Sequence, residues 1–376
     1  MIRFNRPYLT GHEIEHMTKA IESGHLSGDG AYTRLDQHFF SHRFGFRHNL
    51  LTTSGTDALE MAAILANIAP GDEVIVPSYT FVSTANAFIL RGAKIVFIDS
   101  QVDHPNIDHT CIESHINSRT KAIIPVHYGG ISCEMDCIMG LSAKYDLIVV
   151  EDAAHSIDSC YKGRPLGGIG HMGCFSFHET KNVSAGEGGL LVVSDHLTSR
   201  RAEIIREKGT DRSAFFRGEV DKYGWVDIGS SFLASELNAA FLYAQLQELD
   251  IIQLRRKQVW EKYLTGLVDI HKYGYTLPHI PLNCTNNAHL FYIICPSLND
   301  RTALISHLNK QGIKAVFHYQ PLHSSQFHKT NNPGQADLPN ATRFGDQLVR
   351  LPLFADLTVQ DQEKVIQEVI NFVVSR

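Results

Sequence analysis

Short, continuously apolar runs alternate along this chain with longer segments of helical periodicity, and this alternation is the strongest constraint on its fold. The runs are EVIVP (73–77), KIVFID (94–99), KAIIPVH (121–127), LIVVED (147–152), CFSF (174–177) and GLLVVS (189–194). Strands that are apolar at consecutive positions are buried on both faces, which occurs where helices cover both sides of a parallel sheet. The sequence therefore predicts an α/β fold with a mostly parallel central sheet flanked by helices.

The pattern changes after about residue 245. A long helical stretch (245–267) leads to a strand HLFYIIC (289–295), a helix RTALISHLNKQG (301–312), a strand KAVFHY (314–319) and a closing helix near 358–373. At the other end, TGHEIEHMTKAIESG (10–24) predicts a helix with a capping box formed by Thr10 and Glu13. We expect a large domain over residues 1–245 and a smaller C-terminal α+β domain over residues 246–376.

Composition narrows the classes of function. The chain has 376 residues, is 43% hydrophobic, and carries a formal charge of -6 without a basic run, which argues against nucleic acid or an anionic membrane as partner. No secretion signal or membrane-spanning stretch is visible, and the seven cysteines show neither zinc nor disulfide spacing. We expect a cytoplasmic protein that binds a small soluble ligand and no metal ion.

Two motifs follow strands at the predicted carboxyl edge of the sheet, where ligands of open α/β folds bind. In LLTTSGTDALEMAAILA, a short strand leads through Ser54, Gly55 and Thr56 into a helix, whose free amides and neighbouring hydroxyls could hold a phosphate or could simply cap the helix. In LIVVEDAAHS, strand alternation sends Glu151 and Asp152 to opposite faces, so only one of them can point at a ligand. Either carboxylate could instead cap the next helix.

A lysine follows a buried strand in CFSFHETKN. Lys181 beside this strand loses solvation, which lowers its pKa and makes the neutral amine available as nucleophile or base, although a snorkelling structural lysine is the alternative. In VPSYTFVSTANAF, Tyr79 and Phe81 could place an aromatic face on a flat ring or pack in the core. Pyridoxal phosphate is held by three kinds of group: a helix start that can bind its phosphate, a carboxylate at the end of a strand, and a lysine. This sequence offers all three.

One glycine-rich stretch is a misleading match. GGIGHMGCF places Gly168, Gly170 and Gly173 in the spacing of a dinucleotide-binding fingerprint. That fingerprint requires a strand before it and a helix after it, whereas a turn-like segment precedes this one and the strand CFSF follows. We therefore interpret it as a turn that leads into the strand before Lys181.

The segments TTSGTDALEMA, PSYTFVSTANAF, VEDAAHS, GCFSFHETKN and GEGG, in this order and spacing, resemble the sugar aminotransferases of the DegT family. These are fold type I pyridoxal-phosphate enzymes, and the resemblance covers nearly the whole chain. It implies an aminotransferase that uses pyridoxal 5'-phosphate, with L-glutamate as amino donor and a dTDP-linked keto-sugar as acceptor. It also implies a homodimer with shared active sites.

Family roles follow from this resemblance position by position. Lys181 aligns with the lysine that binds the cofactor's aldehyde, and Asp152, rather than Glu151, with the carboxylate beneath the pyridine nitrogen. His155 falls near the phenolic oxygen, Phe81 against the ring, and Ser176 at the phosphate. Gly55, Thr56 and Asp57 fall at the phosphate-binding helix start. The family often adds an asparagine from the neighbouring subunit, but GSSFLASELNAA has Ser231 there.

The resemblance also implies that His318, Tyr319 and His323 line the sugar pocket, and His178 is a further substrate candidate. The loop REKGTDR offers Arg206, Lys208 and Arg212 as partners for a carboxylate or diphosphate of the substrate. A packed strand residue among the first group and a solvated basic loop for the second are the alternatives.

Three rival classes share part of this pattern. Pyridoxal-phosphate sugar dehydratases resemble these aminotransferases but have histidine at the position of Lys181. A nicotinamide dehydrogenase is suggested only by the misplaced glycines. A non-catalytic sensor with the same fold would keep the cofactor pocket but would not convert a substrate.

Overall fold

The computed structural model describes residues 1–331 and 337–376. The strands are β1 His48–Thr52, β2 Glu73–Pro77, β3 Lys94–Ile98, β4 Thr120–Ile123, β5 Ile148–Asp152, β6 Cys160–Tyr161, β7 Arg164–Pro165, β8 Met172–Ser176, β9 Gly189–Val193, β10 Phe291–Ile294 and β11 Leu348–Leu351. The helices are α1 Glu13–Glu22, α2 Ala31–Phe44, α3 Gly55–Leu65, α4 Val82–Ile89, α5 His109–Ile112, α6 Met135–Tyr145, α7 His196–Arg206, α8 Arg212–Phe216, α9 Glu236–Gln247, α10 Leu249–Gly266, α11 Leu298–Lys310, α12 Gln326–Asn331, α13 Pro339–Gln347 and α14 Val359–Val374.

The main sheet has the strand order β1-β9-β8-β5-β4-β2-β3. Strands β3, β2, β4, β5 and β8 pair in parallel, whereas β9 is antiparallel to both of its neighbours, β8 and β1. This arrangement confirms the predicted mostly parallel sheet. It also brings the carboxyl ends of β2, β4, β5 and β8 to one edge.

Both faces of this sheet are buried, as the continuous apolar runs predict. In β2, Val74 and Val76 pack into one hydrophobic cluster while Ile75 between them packs into another on the opposite face. Helix α3 supplies Met61 and its buried neighbours to the first cluster, and Ile138 of α6 belongs to the second. Burial on both sides explains why these strands lack polar alternation.

The C-terminal part has its own hydrophobic cluster, formed by β10, β11 and the helices α10, α11 and α14. Ile2 belongs to this cluster, and its N–H donates to the Gly312 carbonyl at 2.7 Å. On the other side of β10, Tyr292 and Ile294 pack into the core of the main sheet. The start of the chain therefore packs with its end, and the boundary between residues 245 and 246 stays a prediction.

The predicted strand 314–319 is wrong. Val316 forms one isolated bridge with Arg350, and the residues after it leave the ladder. His318 and Tyr319 instead contact Tyr128 and His155 of the main sheet region, and these long-range contacts prevent a regular strand. Only half of the predicted capping box forms, because the Thr10 N–H donates to Glu13 Oε1 at 2.7 Å while the Thr10 hydroxyl accepts from His12.

The glycine-rich stretch is a turn before β8, as expected, and it encloses the carboxylate of Glu151. The N–H groups of Gly167, Ile169 and Gly170 donate to Glu151 at 2.8, 2.7 and 2.6 Å. His127 Nδ1 accepts from a backbone N–H, so the proton lies on Nε2, which donates to Glu151 at 2.9 Å. Both side chains are completely buried.

Burial alone would raise the pKa of Glu151, but the hydrogen bonds from His127 and the turn amides outweigh it and hold the pKa below its ordinary value. The ionised carboxylate thus ties β5 to the turn before β8. The next residue, Asp152, must point to the opposite face of the sheet.

No helix among residues 1–331 and 337–376 combines the length and the apolar character that crossing a membrane requires.

We predict that Glu151→Ala lowers the free energy of unfolding by about 3–5 kcal/mol, because it leaves three turn amides and His127 without their partner. Urea denaturation measures this loss, and Glu261→Ala on the exposed side of α10 is the control. Because the folded-state pKa is lowered, the difference should shrink as the pH falls through it. Equal unfolding midpoints for Glu151→Ala and the wild type at pH 7 would contradict this role.

Candidate active site

The candidate site lies at the carboxyl edge of the main sheet. Asp152 ends β5, Ser176 ends β8, and Gly55 begins α3 beside them. Strands β5 and β8 are hydrogen-bonded neighbours, with Asp152 opposite Cys174. Lys181 follows β8 by five residues, so the motifs that the sequence singles out converge on one edge.

Asp152 is held in one orientation. Its Oδ2 accepts from the Thr84 hydroxyl at 2.7 Å, and its Oδ1 accepts from the Ala154 N–H at 3.2 Å. Thr84 is fully buried in α4 and its hydroxyl also contacts that of Thr80 at 2.8 Å. This fixed carboxylate could hold a proton on a ring nitrogen.

Lys181 has a perturbed amine. Desolvation lowers the pKa of Lys181 to about 8, while the Asp152 carboxylate opposes this shift and Arg350 adds to it. The interaction with Asp152 places the two side chains within electrostatic range of each other. Its neighbour Asn182 is buried and donates to Gln253 Oε1 and to the Asn287 carbonyl, both at 2.8 Å, which fixes the backbone beside the amine. A neutral fraction of roughly one tenth is thus available at pH 7.

Hydroxyl groups gather at the first turn of α3. The Thr56 hydroxyl lies 2.8 Å from that of Ser83, a residue that the sequence analysis did not single out. A Cβ atom on Gly55 would lie 2.8 Å from the Cβ of Ser176, so this close approach requires glycine. The helix N-terminus and these hydroxyls together could hold a phosphate.

Ser54 and Asp57 complete the start of α3. Ser54 caps the helix by accepting from the Asp57 N–H at 3.0 Å, so this part of the motif also performs the structural role considered as its alternative. The Asp57 carboxylate accepts from the Thr53 hydroxyl.

His155 is buried beside these groups in a defined tautomer. Its Nδ1 accepts from the Gly129 N–H at 3.2 Å, so its Nε2 carries the proton and donates to the Tyr319 hydroxyl at 3.3 Å. Desolvation lowers the pKa of His155 well below its ordinary value, and the charges of Lys181 and Arg350 lower it further. The imidazole is therefore a neutral hydrogen-bond donor.

His318 and Tyr319 reach the site, whereas His323 is engaged elsewhere. His318 Nδ1 lies 2.7 Å from the Tyr128 hydroxyl, and the His318 and Tyr319 rings stack with centroids 3.6 Å apart. His323 Nδ1 lies 2.7 Å from the Ser78 hydroxyl, just beyond β2.

The remaining candidates lie at the surface. The Phe81 side chain is 55% exposed, and its ring centroid lies 6.2 Å from that of Tyr319. His178 contacts the Thr180 hydroxyl at 2.9 Å and is partly exposed. Lys208 and Ser231 are exposed on the segment that follows α7.

Two arginines of the basic loop have partners within the protein, and only the buried one departs from its expected role. Arg206 is buried and donates to Asp29 at 2.5 Å and to the Leu51 carbonyl at 3.3 Å, so it is not available to a substrate. The Arg212 guanidinium lies over the Phe216 ring, 5.2 Å from its centroid, and 3.8 Å from Glu207. The sequence offered no signal for the long-range partners of Arg206.

Three further polar residues near the site, in addition to Ser83 and Thr84, were missed by the sequence analysis. Asn182 Oδ1 accepts from His289 Nδ1 at 2.8 Å, and the His289 ring stacks on His155 with centroids 4.1 Å apart. Arg350 on β11 acts electrostatically on both Lys181 and His155. The available signal was one arginine in the apolar run LVRLPLF. Within the described ranges, no group of three or more histidine, cysteine or acidic side chains could hold a metal ion.

Comparison with known proteins identifies the family. Residues 7–370 match the model of the DegT/DnrJ/EryC1/StrS aminotransferase family. The chain is 32% identical over 378 residues to the spore coat polysaccharide biosynthesis protein SpsC of Bacillus subtilis (strain 168), a match that covers 98% of this chain and 96% of SpsC.

Solved structures agree with this match. PseC of Helicobacter pylori, an aminotransferase involved in the biosynthesis of pseudoaminic acid, has a TM-score of 0.91 at 26% identity and full coverage of both chains. Spr1654 of Streptococcus pneumoniae has a TM-score of 0.92 in its PMP-form at 26% identity over the full length of both chains, and it is also known in a PLP-form. The predicted fold type I architecture, enzyme class and cofactor are thereby confirmed. The chain belongs to the DegT/DnrJ/EryC1/StrS aminotransferase family, and it is a pyridoxal-phosphate-dependent sugar aminotransferase.

Proposed function

We propose that this enzyme transfers the amino group of L-glutamate to the 4-keto carbon of dTDP-4-keto-6-deoxy-D-glucose. The products would be dTDP-4-amino-4,6-dideoxy-D-galactose and 2-oxoglutarate. The stretches LRGAKIVFID, IPVHYGG, EIIREKGTDRSAFFRGEVDKYGW and AVFHYQPLH resemble dTDP-4-amino-4,6-dideoxygalactose transaminase, an enzyme of bacterial surface-polysaccharide synthesis. Amino transfer to another nucleotide-linked 3-keto or 4-keto sugar is the alternative, and Lys181 argues against a sugar dehydratase.

The observation that carries this proposal is the electrostatic interaction of Lys181 with Asp152 at the sheet edge where the start of α3 approaches Ser176. These residues fit pyridoxal phosphate, which when bound supplies an electrophilic carbon and an electron-withdrawing ring. Lys181 would hold the aldehyde carbon, Asp152 the protonated ring nitrogen, His155 the phenolic oxygen and Phe81 the ring face. Gly55, Thr56, Asp57 and Ser176 would surround the phosphate, joined by Ser231 of a second copy of this chain.

Lys181 is the proposed proton carrier in both half-reactions. Its amine, with a pKa near 8, can take the proton from the α-carbon of L-glutamate and later deliver a proton to C4 of the sugar. His155 donates from Nε2 without carrying a charge of its own. His318 and Tyr319 line the neighbouring space, where we place the sugar.

A homodimer is part of this proposal. Trp225 is 85% exposed and Phe216 is 70% exposed, and both lie in the segment that precedes Ser231. Exposed aromatic side chains of this kind are typical of protein interfaces. A second copy of the chain would cover them and bring its own Ser231 to the phosphate of the first.

The amine of Lys181 should control how fast cofactor-free enzyme captures pyridoxal phosphate. Because only the neutral amine attacks the aldehyde, the capture rate should rise with pH and reach half its maximum near pH 8, far below the ordinary lysine value. In Asp152→Asn this midpoint should move to lower pH, because the carboxylate that raises the pKa is gone. Stopped-flow absorbance measures the rate, and a wild-type midpoint above pH 10 would contradict the assignment.

The substrate is tested by incubating the enzyme with L-glutamate and dTDP-4-keto-6-deoxy-D-glucose and solving the product by NMR. We expect a dTDP-linked 4-amino-4,6-dideoxy sugar with the axial amine of the galacto configuration, and an equal amount of 2-oxoglutarate. An equatorial amine would contradict the proposed product, and conversion of a 3-keto sugar instead would favour the alternative.

A further inference from the structure

We propose that Arg350 binds the α-carboxylate of the amino donor. The inference rests on the proposed amino-transfer function and names the part of the site that recognises the donor.

The Arg350 guanidinium lacks a protein partner of opposite charge. Its Nε atom is buried without a hydrogen-bond partner, and no carboxylate of residues 1–331 or 337–376 forms an ion pair with it. The Arg350 residue as a whole is half-buried. Arg256 provides the contrast, because it is fully buried but donates to the carbonyls of Ala288 at 3.1 Å and His289 at 2.7 Å. A partly buried cation without a counter-charge in the protein is suited to an anionic ligand.

The groups around Arg350 are neutral. Burial raises the pKa values of Tyr79, Tyr128 and Tyr319, so these phenols stay protonated and cannot balance the charge. The forked guanidinium can donate to both oxygens of a carboxylate.

The position of the guanidinium is fixed by its surroundings. The Phe4 ring lies against it, 4.6 Å from the guanidinium carbon to the ring centroid. The Arg350 N–H donates to the Val316 carbonyl at 2.7 Å, and Val316 returns a bond at 3.2 Å. A guanidinium held this way loses less conformational entropy on binding.

Arg350 also acts on the reacting groups. Its charge lowers the pKa values of Lys181, His155 and His318, which places it within electrostatic range of all three. In an α-amino acid the carboxylate is attached to the carbon that carries the amine, so its partner must lie near Lys181. The diphosphate of a nucleotide sugar is separated from C4 by the sugar ring and would lie farther away. The location therefore favours the donor carboxylate.

The two half-reactions, measured separately in single turnover, test this assignment on the cofactor-loaded enzyme. In R350Q the glutamate half-reaction should lose about 100-fold in efficiency, chiefly through weaker glutamate binding, because a buried charge-assisted pair is lost. The reaction of the aminated enzyme with dTDP-4-keto-6-deoxy-D-glucose should stay within about threefold of wild type. R350K, which keeps the charge but not the forked geometry, should recover part of the loss.

R301Q is the matched control, because Arg301 of α11 is an arginine with a buried Nε that lies over Phe317 and donates to the Gly345 carbonyl. It should retain both half-reactions. L-Alanine, which lacks a side-chain carboxylate, distinguishes the two carboxylates of glutamate. If Arg350 binds the α-carboxylate, R350Q should weaken the binding of L-alanine and of L-glutamate by similar factors.

Other outcomes overturn the assignment. Loss of the sugar half-reaction alone would assign Arg350 to the diphosphate, and a loss confined to glutamate but absent with alanine would assign it to the side-chain carboxylate. Equal loss of both half-reactions, or no loss, would also contradict it. A wild-type enzyme that does not exchange its amino group with glutamate would instead contradict the proposed function itself.

Discussion

Two consecutive carboxylates end strand β5, and the site depends on their pointing to opposite faces of the sheet. Glu151 is enclosed by three turn amides and His127, which fixes the end of the strand and the turn before β8. Asp152 is thereby presented to the other face, where Thr84 orients it within electrostatic range of Lys181. Glu151 thus stabilises the fold, and Asp152 is available to interact with a ligand.

The charge balance of the site follows from this arrangement. Asp152 is the acidic group that acts on Lys181, while burial and Arg350 both favour the neutral amine. The imidazoles of His155 and His318 are kept neutral by the same burial and charge. An amine whose pKa of about 8 lies near physiological pH, neutral donors around it and an unpaired cation together suit a reaction in which an anionic amino acid gives up a proton.

Much of the fold could be predicted from local pattern, because a strand buried on both faces must be apolar at every position. The segment 314–319 could not, since Tyr128 and His155, far away in sequence, hold His318 and Tyr319 outside the sheet. The packing of Ile2 with the C-terminal core was equally invisible to periodicity. Such contacts depend on tertiary arrangement rather than on propensity.

The site residues also fall into those that local sequence predicts and those that only tertiary contacts reveal. The lowered pKa of Lys181 was predictable from a lysine beside a buried strand, and strand alternation separated Glu151 from Asp152 without deciding between them. Long-range partners decided the rest: Asp29 removes Arg206 from the substrate candidates, and Arg350, which has no carboxylate partner in the described chain, lies within electrostatic range of Lys181. No local pattern reports such pairings.

The most direct test is to map where pyridoxal phosphate attaches. The cofactor-saturated enzyme is reduced with borohydride and digested, and the modified peptide is sequenced by mass spectrometry. We expect one phosphopyridoxyl group per chain, attached to Lys181. Attachment to another lysine, or an unmodified Lys181 in fully saturated enzyme, would contradict it.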